Sequence, residues 1–413
     1  MNKRLAKIAF LVLALPAAAA ALVWARHAYV LARYENQRAL AHQPEAIQKT
    51  LERIKLPPGF KIRLYALVPG ARHMAVGPQG KVIFVGTFET KVYAVTVDAA
   101  SEVAGGVSEF APAIEMNVPN GVCFAKDGVL FVAEMNRVLS FPRAEADYQD
   151  PSVRAKAIVA QDKLIPVEDA RPPHNARVCR VGPDGKLYIA LGQPYNVPPK
   201  TKMGEFNEWG IGGIIRMNLD GTGREVFARG IRNSVGMDFN PKDGILWFTD
   251  NQVDRMGDDI PPEELNRAPT AGLNFGFPWY GGGHIRTKEY KDETPPEGLV
   301  FAEIETPAHA ADLGMIFFTG TNFPAKYRGG IFFAQHGSWN RTVPIGARVS
   351  FASLKPDGTG DKAEVFAEGW LNEKGAYDGR PVDVAELPDG SLLVSDDYAG
   401  ALYRITYEGD RRP

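Results

Sequence analysis

The sequence predicts an all-β chain, a six-bladed β-propeller preceded by an N-terminal apolar helix, and three observations carry that prediction. One hairpin pattern (apolar strand, Pro/Asp/Gly turn, second apolar strand) recurs six times. A further apolar strand follows most copies. Gly 42 and Pro 31 are high counts for 413 residues and fit a chain built from many turns. Hydrophobic residues at 45% and charged residues at 23% exclude wholesale disorder. With 47 basic against 49 acidic residues, no global basic field exists to attract nucleic acid. Two cysteines, neither in a CxxC or CxxCH string, argue against a disulfide framework, a thiol zinc site and covalent haem.

The first element is an export signal over residues 1–25. Lys3, Arg4 and Lys7 precede an uncharged, mostly apolar run from Ile8 to Ala25. Positive charge before an apolar run holds the N-terminus in the cytoplasm and sends the rest across. The small residues around Ala19–Leu22 suit signal-peptidase cleavage. The run is also long enough to span a bilayer, at ~1.5 Å per residue against ~30 Å, and a retained inner-membrane anchor at residues 8–25 is slightly favoured. Either way the body is expected outside the cytoplasm, in the periplasm. Residues 26–56 read as a polar, partly helical tether, and Leu56-Pro57-Pro58 opens the domain over residues 57–413.

The six hairpins begin at His73, Gly121, Val178, Val235, Gly314 and Val382. Their turn glycines are Gly80, Gly128, Gly185, Gly244, Gly330 and Gly390, and Asp-Gly supplies the positive φ that a tight turn needs. Third strands read as KVYAV, RVLSF, GIIRMNLDG, RVSFASLKPDG and ALYRITYEG. A small sheet of this kind cannot bury both faces alone, so it must stack on neighbours. Six sheets arranged radially close around a central channel. The strand GFKIRLYAL from Gly59 is expected to join the last blade and seal the ring. A β-sandwich pair is the rival fold, and it leaves six copies of one turn unexplained. Residues 251–310 interrupt the repeat as a Gly/Pro-rich insertion, a length that is more often functional than decorative.

Candidate site residues follow from the phase of the repeat. With the turn joining the innermost strand to the second, the residues before each inner strand lie on the opposite face, around the channel. They are Arg72-His73, Pro119-Asn120, His174-Asn175, Arg232-Asn233, His309 and Arg380-Pro381. The ends of the second strands return there with Thr87, Glu134, Gln193, Asp250-Asn251, His336 and Asp396-Asp397, and HGSWNR adds Trp339 and Arg341. Arginine offers a planar fork for carboxylates, so a ring of them calls for a polyanionic ligand. Taken singly, each is as easily a solvated Arg or a packed His; their recurrence at one phase argues for a site. The run DNQVDRMGDDIPPEE from Asp250 is acidic and could hold a hard cation such as Ca2+, or be a solvated loop. In GLNFGFPWYGGG, Phe275, Phe277, Trp279 and Tyr280 could wall a ligand or simply pack.

Together PPHNARVCRVGPDGKLYIALG, GIRNSVGMDFN, LWFTDNQVDRMGDD, GLNFGFPWYGG, FAQHGSWNR and GRPVDVAELPDGSLLVSDDYAG resemble the soluble, propeller-type pyrroloquinoline quinone (PQQ) dehydrogenases, nearest the L-sorbosone and aldose dehydrogenase branch. The resemblance covers roughly residues 57–408. It implies a six-bladed propeller, and a cofactor whose three carboxylates would account for the arginines. It implies His174 as general base, Arg232 and Asn233 at the quinone oxygens, and Arg380 as a carboxylate partner. Arg341, Trp339, Asn120 and Arg72 complete the expected cofactor set. Ca2+ is expected on the backbone carbonyls of Gln252 and Val253. The glucose-oxidising branch has a second basic residue where this chain has Val382, and a Lys where it has HGSWNR, so Arg341 would substitute there. Many relatives carry a fused cytochrome domain; none is read here, and a separate cytochrome or quinone acceptor is expected.

The expected reaction is oxidation of an aldose or sugar aldehyde, sorbosone-like, with a small sugar as the only other partner. Two other classes compete. A metal-dependent lactonase would use Glu134, Asn120 and Asp250 around a cation, which the arginines would repel. A non-catalytic binding propeller would explain the fold but not the His/Arg/Asn ring. Cys123 and Cys179 lie on the second and third inner strands, where adjacent blades could bring them close; bonding is left open, with buried free thiols the safer reading.

Overall fold

The computed structural model describes residues 44–409. The expected N-terminal helix, its export or anchoring role, and the first part of the tether lie outside the described residues. Among the described residues no helix is long and apolar enough to cross a membrane.

Each hairpin copy becomes the inner half of a four-stranded antiparallel sheet, and six such sheets form. Blade 1 comprises β2 (Met74–Val76), β3 (Val82–Val85), β4 (Val92–Thr96) and β5 (Gly106–Phe110). Blade 2 comprises β6 (Gly121–Phe124), β7 (Leu130–Ala133), β8 (Val138–Phe141) and β9 (Lys156–Val159). Blade 3 comprises β10 (Arg177–Val181), β11 (Leu187–Leu191), β12 (Gly213–Met217) and β13 (Glu225–Arg229). Blade 4 comprises β14 (Met237–Phe239), β15 (Leu246–Asp250), β16 (Glu263–Ala268) and β18 (Ile304–Thr306). Blade 5 comprises β19 (Asp312–Phe317), β20 (Ile331–Gln335), β21 (Arg348–Leu354) and β22 (Gly360–Glu368). Blade 6 comprises β23 (Pro381–Glu386), β24 (Leu392–Asp396) and β25 (Ala401–Tyr407), completed by β1 (Phe60–Leu67).

Successive inner strands touch all the way round, β2 to β6, β10, β14, β19, β23 and back to β2, so the ring is closed. Closure is made by the expected strand: β1 pairs with β25 from Phe60↔Tyr407 to Leu67↔Ala401. The turn glycines have positive φ at 80, 128, 185, 244 and 390; in the fifth blade the left-handed residue is Gly329, one before the expected Gly330.

Stacking explains the apolar runs. Six hydrophobic clusters form among the described residues, one at each interface between adjacent blades. A strand covered on both faces has no solvent side, so LFVA of β7 and LYIAL of β11 are buried throughout rather than alternating. The blade 5–6 interface is rich in aromatics: Phe60 lies 4.7 Å from Phe323, 5.0 Å from Phe366 and 5.5 Å from Tyr327 between ring centroids. Because Phe60 also sits on the closing strand, Phe60→Ala is expected to destabilise by about 3–5 kcal/mol, the usual loss for a buried Phe; a urea midpoint equal to wild type would refute this.

Three expectations change. The folded body starts earlier than Pro57: α1 (Pro44–Leu51), in the expected tether, buries Ile47 and Leu51 in the blade 5–6 cluster. The 251–310 segment is not wholly an insertion, since it contains the outer strands of blade 4. It also holds β17 (Leu273–Asn274), which adds to blade 3 in parallel with β13. Cys123 and Cys179 are joined in a disulfide, with Cα atoms 5.8 Å apart, rather than being free. The bond staples β6 to β10, because neighbouring inner strands run close enough for Cβ atoms to meet.

Candidate functional site

The loops before the inner strands and after the second strands meet at one end of the axis, where hydrogen bonds pass through all six blades. Arg72 Nε donates to Asn120 Oδ1 at 2.7 Å, and Asn120 Nδ2 to the Arg177 carbonyl at 2.8 Å. Arg177 Nη1 donates to the His174 carbonyl, and His174 Nδ1 to the Gln193 carbonyl at 2.7 Å. The Gln193 amide donates to the Arg232 carbonyl, a long bond at 3.5 Å. The Arg232 and Asn233 amides donate to Asp250, and Asn251 Nδ2 to the Asp312 carbonyl at 2.6 Å. Asp312 opens blade 5, where the His336 amide donates to the adjacent Ala311 carbonyl at 2.9 Å. Arg380 Nε donates to the His336 carbonyl, His336 Nε2 to Asp397 Oδ1 at 2.8 Å, and Arg72 Nη1 to Asp397 Oδ2 at 2.5 Å. The circuit is continuous, so His174, Arg232 and Arg380 belong to one ring.

His174 is half-buried, with φ at 65°, a left-handed conformation uncommon for a residue with a side chain. Gly192 makes room for it: a Cβ there would stand 2.8 Å from the His174 carbonyl and 2.4 Å from Asn233 Oδ1. A backbone carbonyl only accepts, so Nδ1 carries the ring proton and Nε2 keeps its lone pair. Burial, then the Arg232 charge, lower the imidazole pKa to about 3. His336 is likewise lowered to about 4 by burial and Arg380. For Asp397, burial would raise the pKa, but His336, Arg72 and Arg380 outweigh it and hold the carboxyl below its usual range.

The arginines divide into two kinds. Arg72 is paired with Asp397, Arg232 with Asp254 at 2.8 Å, and Arg341 with Asp259 at 2.9 Å. Arg232 is further held by the carbonyls of Asn196 and Asn251 and by Asn196 Oδ1. By contrast, the Arg380 guanidinium donates only to the His336 and Gly337 carbonyls, its backbone amide going to Asp396 Oδ1, and the Arg177 guanidinium donates only to carbonyls. These two cations have no carboxylate hydrogen-bond partner among the described residues. Arg177 was missed by sequence reading because it begins an inner strand instead of preceding it.

Other expected residues are placed differently. Arg341 clamps the insertion through Asp258, Asp259 and Ala308 instead of lining the ring. Trp339 stands 65% exposed on the rim, 5.8 Å from the Arg255 guanidinium. His309 binds the Gly257 and Ile260 carbonyls, and His73 is sealed in the channel on the Val235 carbonyl, so two histidines, not four, serve the ring. Phe275, Trp279 and Tyr280 pack on Phe248, Tyr290 and Phe301. A cavity of about 230 Å³ behind Gln193, walled by Phe206, Phe277 and Trp279, touches the ring only through Gln193.

At the expected cation site, Gln252 is buried, and its side-chain oxygen has no partner. The carbonyls of Gln252 and Val253 accept no hydrogen bond among the described residues. Uncommitted oxygens of this type suit Ca2+. Asp250, Glu263 and Glu264 are buried close by, and burial raises their pKa values, Asp250 to about 6 and Glu264 to about 8. Among the described residues, the compact cluster of metal-type side chains lies elsewhere, at Glu168, Asp169 and Glu205, where Lys202 already bonds Asp169 and Glu205. Glu134 is committed to Arg137 and the Asn117 amide, which removes the lactonase ligand set.

A neutral histidine with a free Nε2, fixed arginines and amides thus stand together at the mouth of a six-bladed propeller. A family model described as Glucose / Sorbosone dehydrogenase matches residues 133–404. The chain belongs to that family and is a sugar oxidoreductase. An uncharacterized protein of Borreliella burgdorferi is 29% identical over 373 residues, covering 88% of this chain and 93% of that one. The aldose sugar dehydrogenase YliI of Escherichia coli is 28% identical over 246 residues, 54% of this chain and 58% of that one. In fold, the chain is similar to a Trichoderma reesei enzyme of carbohydrate-active family AA12 (TM-score 0.71, 18% identity, 86% and 98% covered). It is also similar to the PQQ domain of a Coprinopsis cinerea pyranose dehydrogenase in holo form (TM-score 0.69, 17% identity, 86% and 97% covered).

Proposed function

We propose that the protein is a PQQ- and Ca2+-dependent dehydrogenase that oxidises an aldose or a sorbosone-like sugar aldehyde. The observation that carries this reading is the Arg380 guanidinium, whose hydrogen bonds go to carbonyls alone, in one ring with a base held neutral. A flat tricarboxylate would give that guanidinium the carboxylate hydrogen-bond partner it lacks among the described residues. Asn233 Oδ1, buried without a partner, offers an acceptor to the same ligand.

When bound, PQQ with its Ca2+ supplies a two-electron quinone that accepts a hydride from the substrate carbon. The chain supplies the rest. His174 Nε2 takes the proton of the substrate hydroxyl, and the Nδ1 bond to Gln193 keeps the ring in the tautomer that can do so. Arg232, locked by Asp254 and Asn196, holds a fixed positive charge where negative charge develops. Arg380 and Asn233 orient the cofactor, and the Gln252 and Val253 carbonyls would hold the cation. Electrons then pass to a separate cytochrome or quinone. Export is supported by the Cys123–Cys179 disulfide, since such bonds persist in oxidising compartments.

Purified apoprotein is expected to reduce an artificial dye with an aldose only after PQQ and Ca2+ are both added, and to lose that activity on chelation. Lactone hydrolysis with metal alone would overturn the reading, as would tight sugar binding without dye reduction.

A further inference from the structure

Arg177 is the first residue of β10 and only 1% exposed. Its Nε donates to the Met135 carbonyl at 3.0 Å, and its Nη1 to the carbonyls of His174 at 3.1 Å and Gly192 at 3.2 Å. Those carbonyls belong to three loop tips: the β7–β8 turn, the segment entering β10 and the segment leaving β11. Two of the three are His174 itself, with its left-handed backbone, and Gly192, which makes room for it. The Arg177 carbonyl is held in turn by Asn120. A buried guanidinium without a counter-ion is unfavourable, and a neutral side chain would avoid that burden, so the charge itself calls for an explanation.

We propose that Arg177 is the positioning residue of the His174 base, fixing the backbone on both sides of the imidazole and placing a second cation behind it. The charged groups that act on the imidazole are Arg232 and Arg177, both positive; the Gln193 carbonyl alone opposes them. Loss of Arg177 therefore frees the loop and makes protonation of the ring easier. The inference rests on His174 serving as the base, so the test includes a measurement on the apoprotein that needs no turnover.

In apo Arg177→Gln, folded by circular dichroism, the 15N signals of the His174 ring (assigned by difference from His174→Asn) are expected to show mixed tautomers and protonation at higher pH than wild type. In the PQQ-loaded enzyme, kcat should fall on the order of 100-fold, as for a misplaced catalytic group, with KM little changed and the acid limb of the rate profile moved to higher pH. Arg177→Lys keeps the charge but loses the fork. It should retain the acid limb and still lose kcat, and it carries the test should the Gln variant not fold. Wild-type ring signals in a folded Gln variant, or full kcat in the Lys variant, would overturn the proposal. Full turnover in His174→Ala, with the ring signals of Arg177→Gln altered, would sink the base assignment and leave the positioning role standing.

Discussion

His174→Ala is expected to bind PQQ and Ca2+ as wild type does and to lose turnover by ~10²–10⁴-fold, the range for removing a positioned general base. The cofactor contacts proposed for Arg380, Arg232 and Asn233 come from other blades, so cofactor titration should be unchanged while dye reduction collapses. The pH behaviour separates this role from a structural one. With its pKa lowered to about 3, the imidazole stays unprotonated through neutral and mildly acid pH. Rate that depends on it persists as pH falls and is lost only near that value. Stability falls on the same acid side, but begins to fall at higher pH. Below the ordinary histidine value near 6.5 the unfolded chain takes up a proton that the folded chain refuses, so stability falls with pH between those two values. His174→Ala should soften that acid destabilisation, read from urea midpoints across the window. Wild-type turnover in the variant would remove His174 from the mechanism.

Replacing Cys123 and Cys179 together by Ser is expected to cost about 4 kcal/mol, the chain-entropy value for a bridge across 56 residues of sequence. The loss should appear as a lower urea midpoint that reducing agent no longer changes. A functional consequence is expected as well. The bridge links β6 and β10 just below the Asn120–Arg177 hydrogen bond, and Arg177 holds the His174 loop. Loosening the staple should therefore lower kcat before the protein unfolds. Equal midpoints for wild type with and without reductant would show that the bridge adds nothing to stability.

The candidate ring was legible to different depths. His174, Arg232, Asn233 and Arg380 could be found because each occupies the same phase of a repeat, and phase alone fixes the end of the propeller on which a residue emerges. Arg177 escaped because it lies within a strand, where an arginine reads as an edge or solvent residue. The outer strands of blade 4 escaped because EELNRA is polar. Its carboxyls Glu263 and Glu264 are buried, yet satisfied by amides of Gln252, Ala311 and Gly283 that come from distant turns. His309 shares the phase of the ring and Arg341 follows shortly after it, but both are drawn away by the 257–260 loop, whose path no periodicity reports.

The sequence by itself determined the blade count, the closing strand and the end of the axis where the chemistry gathers, because hairpin turns and apolar runs are local and repeat. The tertiary structure decided which charges are neutralised, which ring nitrogen of His174 keeps its lone pair, and that the two thiols are bonded. These depend on distances between residues far apart in the chain, such as Arg72 and Asp397 at 2.5 Å. Electrostatic energy follows separation in space and burial from water, and neither is written in the spacing of the residues.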